Sequence, residues 1–239
     1  MSDVRIPTPA GDLPAHLAVP EGSGPWPGVV VIHEAYGLNA DIRSWADRFA
    51  GEGYLAVAPD LLHWGASVRC LLAAFRSLRS GRGRAFAEID AARAHLGARD
   101  DCTGRVGIVG FCMGGGFALL GAVRGFDVSA PNYAPLPPDP DDALRGACPI
   151  VASYGGRDRG SRGAAPKLDA TLERLGVPHD VKEYPDANHS FLNRHEGWQL
   201  HLARIAGIGF HGPSADDAWT RIRAFLATHL EAAAGAERT

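Results

Sequence analysis

The chain has 239 residues, enough for a single large α/β domain, and with 46% hydrophobic and 21% charged residues it has the composition of an ordinary globular protein. Its formal net charge of −3 builds no field that would draw in polyanions, so nucleic acid is not expected as a partner. The opening MSDVRIPTPAGDLPAHLAVP lacks the basic start and apolar core of a leader, and no apolar run approaches roughly 20 residues, so a cytoplasmic protein away from the membrane is expected, as a monomer or small homo-oligomer.

In chain order, residues 4–6 and 15–19 read as an antiparallel strand pair at a sheet edge. The β-branched run 28–32 is followed by a glycine-containing loop, and such continuous apolar runs mark strands buried on both faces of a parallel sheet. Similar runs recur at 54–58, 105–109 and 149–154, with a last strand expected at 179–184. Between them lie helical patterns at 41–51, with Ile42, Trp45 and Phe49 on one stripe, and at 84–96, 113–124, 164–175 and 215–230. The proline-rich 131–140 reads as a loop after a strand. Two connections, 61–83 and 195–214, exceed ordinary length and are read as a helix, a lid or simple edge packing. Strand and helix alternate, which predicts an α/β fold: a mostly parallel central sheet covered by helices on both faces, in one domain over 1–239.

Four cysteines at 70, 102, 112 and 148 form no CxxC pair, so reduced thiols are expected, and neither a metal nor an organic cofactor. A free cysteine is most often a small buried hydrophobe, and only Cys112 has a context that changes this. It stands in Gly110-Phe111-Cys112-Met113-Gly114-Gly115-Gly116, directly between a strand and a helix. That is the setting of a nucleophile elbow, where glycines two before and two after the nucleophile avoid clashes as the chain reverses. Unpaired N–H groups and the helix dipole stabilise negative charge at such a place. A phosphate-cradling turn would need a GxGxxG pattern near the first strand, which is not what these glycines form.

An elbow nucleophile needs a base, and in α/β-hydrolases acid and histidine follow it in that order. Asp158, in Tyr154-Gly155-Gly156-Arg157-Asp158, follows the 149–154 strand, and His189, in Ala187-Asn188-His189-Ser190-Phe191, follows the last strand. Taken alone, Asp158 is as well read as a turn cap and His189 as a surface or core histidine; the shared order and strand-end positions single them out. His195 competes for the role of base but lacks the place directly after a strand.

With His33-Glu34-Ala35-Tyr36-Gly37-Leu38 after the third strand and Ala58-Pro59-Asp60-Leu61 after the fourth, these motifs make the chain resemble the dienelactone hydrolase family over nearly its whole length. The resemblance implies an α/β-hydrolase fold and hydrolysis of a carboxylic ester or lactone, with Cys112 as nucleophile, His189 as base and Asp158 orienting the base. It implies that Glu34 contacts the resting thiol and controls its ionisation; an acid there opposes the thiolate by like charge. The backbone N–H groups of Ala35 and Met113 are the implied oxyanion hole. The family's use of arginines for a substrate carboxylate makes Arg69 and Arg194 candidates, with Tyr36 and Trp64 as aromatic candidates for the pocket. Arg194 lies one place later than the family spacing, where Asn193 stands instead, which speaks against dienelactone itself. Two other readings remain: a carboxylesterase or thioesterase on the same fold, and a non-catalytic binding protein in which Cys112 only packs.

Overall fold

The computed structural model describes residues 2–65, 67–195 and 208–230. Through them runs an eight-stranded sheet: β1 (Ser2–Ile6), β2 (Leu13–Ala18), β3 (Trp26–Ile32), β4 (Leu55–Pro59), β5 (Cys102–Phe111), β6 (Val128–Asn132), β7 (Ile150–Gly155) and β8 (His179–Tyr184). Its order is β1-β2-β4-β3-β5-β6-β7-β8. β2 pairs with β1 and β4 antiparallel, and every other neighbouring pair is parallel, as the alternating sequence pattern requires.

Seven helices accompany these strands among the described residues: α1 (Ala40–Gly51), α2 (Ser67–Ser80), α3 (Arg84–Gly97), α4 (Met113–Gly121), α5 (Pro140–Ala143), α6 (Ala164–Leu175) and α7 (Gly212–Leu230). β3 explains why the sheet must be covered twice. Its Val29 and Val31 pack with Ile42, Trp45 and Phe49 of α1 and Trp219, Ile222 and Leu226 of α7. Val30 and Ile32, pointing the other way, pack with Phe86 and Ile89 of α3 and Phe117 of α4. Burying one such large side chain contributes roughly 1.5–3 kcal/mol, so the unbroken apolar run is stable only between two helical layers. The Asn39 side chain accepts the Ile42 N–H at 3.0 Å and starts α1, leaving Glu34 free of any capping duty there.

Two stretches differ from the expectation for a local reason, and a third takes one of the forms expected of it. The 131–140 stretch is not wholly a loop: β6 reaches Asn132, and α5 begins at Pro140 with the Asp139 side chain as its cap. Pro131 has no N–H to give, and the β6 to β7 ladder accordingly pairs at Ser129 and Asn132 but not between them. The helix after Cys112 ends at Gly121, three residues short of 124, because the Ala122 and Arg124 amides close turns onto Leu119 and Gly121. Most of 61–83 is the helix α2, which buries Cys70 and Ala74. Of the long 195–214 connection, residues 196–207 lie outside the described part, and α7 starts at Gly212.

Candidate active site

All the candidate chemistry sits on connections that leave the carboxyl ends of parallel strands, the edge where such sheets present ligands sites of this kind. At the end of β5 the chain turns sharply, and Cys112 takes φ 56 and ψ −117, a conformation that side chains rarely adopt. The glycines around it are dictated by space: a Cβ at Gly110 would stand 2.0 Å from the Gly114 carbonyl oxygen, and one at Gly114 would stand 2.4 Å from that of Ile32. Backbone atoms cannot yield, so only glycine allows strand and helix to approach this closely. The Cys112 N–H donates to the Asn132 carbonyl at 3.1 Å, and its own carbonyl accepts the Gly116 N–H at 3.1 Å, which locks the turn. The Cys112 side chain is partly buried at the meeting of two core clusters. Burial pushes the Cys148 thiol up to about 12 and raises that of Cys102, while Cys70 is fully buried in α2.

Asp158 is held in the turn after β7 by its own N–H donating to the Gly155 carbonyl. Its carboxylate accepts the Gly160 N–H at 2.8 Å, the Ser161 hydroxyl at 2.6 Å and His189 Nδ1–H at 2.6 Å. Burial opposes the charge, but these donors outweigh it and hold Asp158 at about 2. His189 follows β8, its carbonyl accepts the Gly209 N–H, and the Tyr133 ring packs edge-on 5.0 Å from its imidazole. Burial disfavours the imidazolium, yet hydrogen bonds to Asp158 and to Cys112 raise His189 to about 10. The imidazole therefore stands between the carboxylate and the thiol, its charged form favoured by both.

Glu34, on the connection after β3, is buried. Its carboxyl accepts the Ser190 hydroxyl on Oε1, while His195 Nε2 stands 3.5 Å from Oε2. Burial raises Glu34 to about 7, and Asp41 adds to this, against the Ser190 hydrogen bond and the charge of His189. The loop that carries Glu34 and Ala35 is pinned by His33: Nδ1–H donates to the Glu34 carbonyl at 2.6 Å and Nε2 accepts the Leu61 N–H at 3.0 Å. Both contacts fit one neutral tautomer, and burial lowers the basicity of His33 accordingly. Neither the Ala35 nor the Met113 N–H is spent on an acceptor among the described residues.

The remaining candidates are dispersed. Tyr36 packs against His195 with ring centroids 5.4 Å apart, and its hydroxyl is held in the neutral form first by burial, then by the charges of Glu34 and Cys112. Trp64 lies under the Arg84 guanidinium, 4.6 Å from the ring centroid. Arg69 is exposed on α2, and the exposed Arg194 stacks its guanidinium 4.1 Å from the Phe210 ring centroid while its N–H donates to Asp41. Asn193 donates to Asp41 at 2.6 Å and accepts the Tyr133 hydroxyl. Ser161, Ser190 and the tethering role of His33 went unassigned in the sequence reading. Adjacency to Asp158, His189 and Glu34 was the signal that could have found them.

The decisive comparison is with family models, where residues 13–230 match that of the dienelactone hydrolase family. The chain belongs to the dienelactone hydrolase family. It is thus a member of a hydrolase family and an enzyme of that class, and it has the α/β-hydrolase fold. Similar curated proteins include one from Methylorubrum extorquens, 28% identical, covering 92% of this chain and 78% of the relative, and one from Synechocystis, 26% identical, covering 95% and 96%. Both bear the name "putative carboxymethylenebutenolidase". Among solved structures, one titled a "putative dienelactone hydrolase" from Klebsiella pneumoniae superposes with TM-score 0.78 at 27% identity, covering 95% of this chain and 97% of that one. Another, titled a dienelactone hydrolase-like promiscuous phosphotriesterase from metagenomic libraries, also gives 0.78, at 26% identity and 95% and 97% coverage. Among the described residues no helix is long and apolar enough to cross a membrane.

Proposed function

We propose that this hydrolase cleaves a small carboxylic ester or lactone through Cys112, His189 and Asp158 by way of a thioester intermediate, within a single catalytic domain. The observation that carries the reading is the 2.6 Å contact of Asp158 with His189 Nδ1, on an imidazole whose hydrogen bond to Cys112 also favours its charged form. His189 takes the thiol proton, and the Cys112 sulfur attacks the acyl carbonyl. The amides of Ala35 and Met113 stabilise the oxyanion, and imidazolium His189 returns the proton to the departing alkoxide as the C–O bond breaks. Water, deprotonated by His189, then opens the thioester and restores the thiol. Asp158 keeps Nδ1 protonated and Nε2 turned to the reaction. Glu34, charged, opposes the thiolate by like charge; protonated, it does not.

The two arginine candidates bear on the substrate. Arg69 is exposed and Arg194 is occupied by Phe210, so among the described residues neither is spent on a buried carboxylate site. This favours a neutral ester or lactone over a dienelactone carrying a free carboxylate. The test is hydrolysis of an activated acyl ester, a simple lactone and a dienelactone by the wild type, Cys112→Ala and His189→Ala. We expect turnover of the neutral substrates to fall at least about a hundredfold in both variants, since such residues act as a unit. Unchanged turnover in Cys112→Ala would return the chain to the reading of a fold kept for binding.

A further inference from the structure

Building on the role given to Glu34 above, we propose that His195 is a positioning residue: it shares the proton of Glu34 and so sets the charge beside the Cys112 sulfur. The geometry is specific. His195 Nε2 faces Glu34 Oε2 at 3.5 Å, and the two side chains are only 1% and 4% exposed. Ser190 donates to Oε1, and Oε2 is the oxygen that faces His195. Neither ring nitrogen of His195 has a hydrogen-bond partner among the described residues, an arrangement that is costly for an imidazole enclosed this far. The Tyr36 ring braces the imidazole edge-on. A movement of roughly 0.3–0.5 Å brings Oε2 and Nε2 into hydrogen-bonding range. His195 does not serve as the base, since the oxygen of Asp158 that would orient it is taken by His189.

The step is a simple exchange: the O–H bond at Oε2 breaks, the N–H bond at Nε2 forms, and the pair keeps one proton and no net charge. With a second proton the pair is cationic and favours the thiolate of Cys112; with none it is anionic and opposes it. The surrounding groups bias the exchange in opposed directions. Burial works against a charged His195, the Asp41 carboxylate of α1 supports it, and the imidazolium of His189 opposes it. Asp41 is in turn held by the Asn193 side chain and the Arg194 N–H, and Arg194 adds its own charge nearby. Tyr36 and Tyr133 face Glu34 and Cys112 and remain neutral phenols, their ionisation opposed first by burial and then by those charges. A histidine at this place lets the pocket stay uncharged to a higher pH than Glu34 alone would allow.

Two arms test it on the full chain. In the first, the ring 15N signals of His195, assigned by their absence in His195→Asn, are followed across pH in the wild type and in Glu34→Gln. The His195 midpoint should fall by about one pH unit once its acidic partner is gone; an unchanged midpoint overturns the proposal. In the second, kcat/KM for an activated acyl ester is measured against pH. His195→Asn should lose about tenfold near pH 8, where Glu34 alone is ionised while the pair still holds its proton, with the gap closing toward pH 6, where Glu34 is protonated in both proteins, and Glu34→Gln/His195→Asn should be no worse than Glu34→Gln. An equal loss at every pH, or a further loss in the Glu34→Gln background, marks a merely structural histidine and overturns the proposal. If His195→Asn folds poorly, His195→Gln replaces it, and the first arm decides with Glu34→Gln alone. Turnover retained in Cys112→Ala removes the nucleophile instead, and the titration still judges the pair.

Discussion

The glycine-flanked turn at Cys112 and the cluster around Glu34 both lie at the carboxyl edge of the sheet, but they are built on different physics. The turn is made of backbone: Gly110 and Gly114 are required by carbonyl oxygens 2.0 and 2.4 Å from where a Cβ would be, and Cys112 is strained by its neighbours' close approach. The pocket is made of buried side chains from two separate connections, Glu34 after β3 and Ser190 and His195 after β8, which meet at one carboxyl group. A backbone device tolerates almost no substitution but is insensitive to pH. An ionisable cluster tolerates substitution of one member and changes with pH throughout.

That contrast can be broken or sharpened by experiment. The largest effect is expected from Cys112→Ala, with kcat/KM for an activated ester falling by at least about a hundredfold while the melting temperature changes little, since alanine keeps the Cβ that makes φ 56 strained. Gly114→Ala should come next, losing more than about 4 kcal/mol of stability in denaturant unfolding, because its Cβ meets two backbone carbonyls; a well-folded variant would show the turn to be more yielding than described. Asp158→Asn should lower kcat by about a hundredfold or more with the fold intact, since the amide no longer holds the needed tautomer.

The pocket should instead reveal itself through pH. Glu34 is raised to about 7 from 4.5, so the folded state binds its proton more tightly than the unfolded chain does. Its contribution is fully present below about pH 4.5 and is lost as pH rises through about 7, a swing of roughly 3 kcal/mol at most. Unfolding measured from pH 5 to pH 8 should therefore show a decline in the wild type that is flattened in Glu34→Gln. Asp158 has the opposite sign: held at about 2, its stabilisation is present above the unfolded value and is lost as pH falls toward 2. The smallest effect belongs to Arg69→Ala, expected to change KM for a neutral ester by no more than about twofold, as for an exposed surface position. A selective loss of affinity for a carboxylate-bearing lactone would restore Arg69 as a substrate contact.

What the sequence determined by itself is the part written in local rules. Unbroken apolar runs require strands covered on both faces, glycines at 110 and 114 require a turn too tight for side chains, and the order of Cys112, Asp158 and His189 along strand ends is visible without coordinates. Proximity across the chain is not local, and only the tertiary structure decided it. His195, six residues after His189, read as a rival base, yet packing turns it onto Glu34 instead, 161 positions earlier in the chain. Arg194, a candidate substrate contact, stacks on Phe210, and Pro131, which argued for a loop, sits in a strand that pairs it with Gly110 of β5 but skips it in the ladder with β7. Side-chain direction and burial depend on which elements close over a position, and that is settled only when the layers pack.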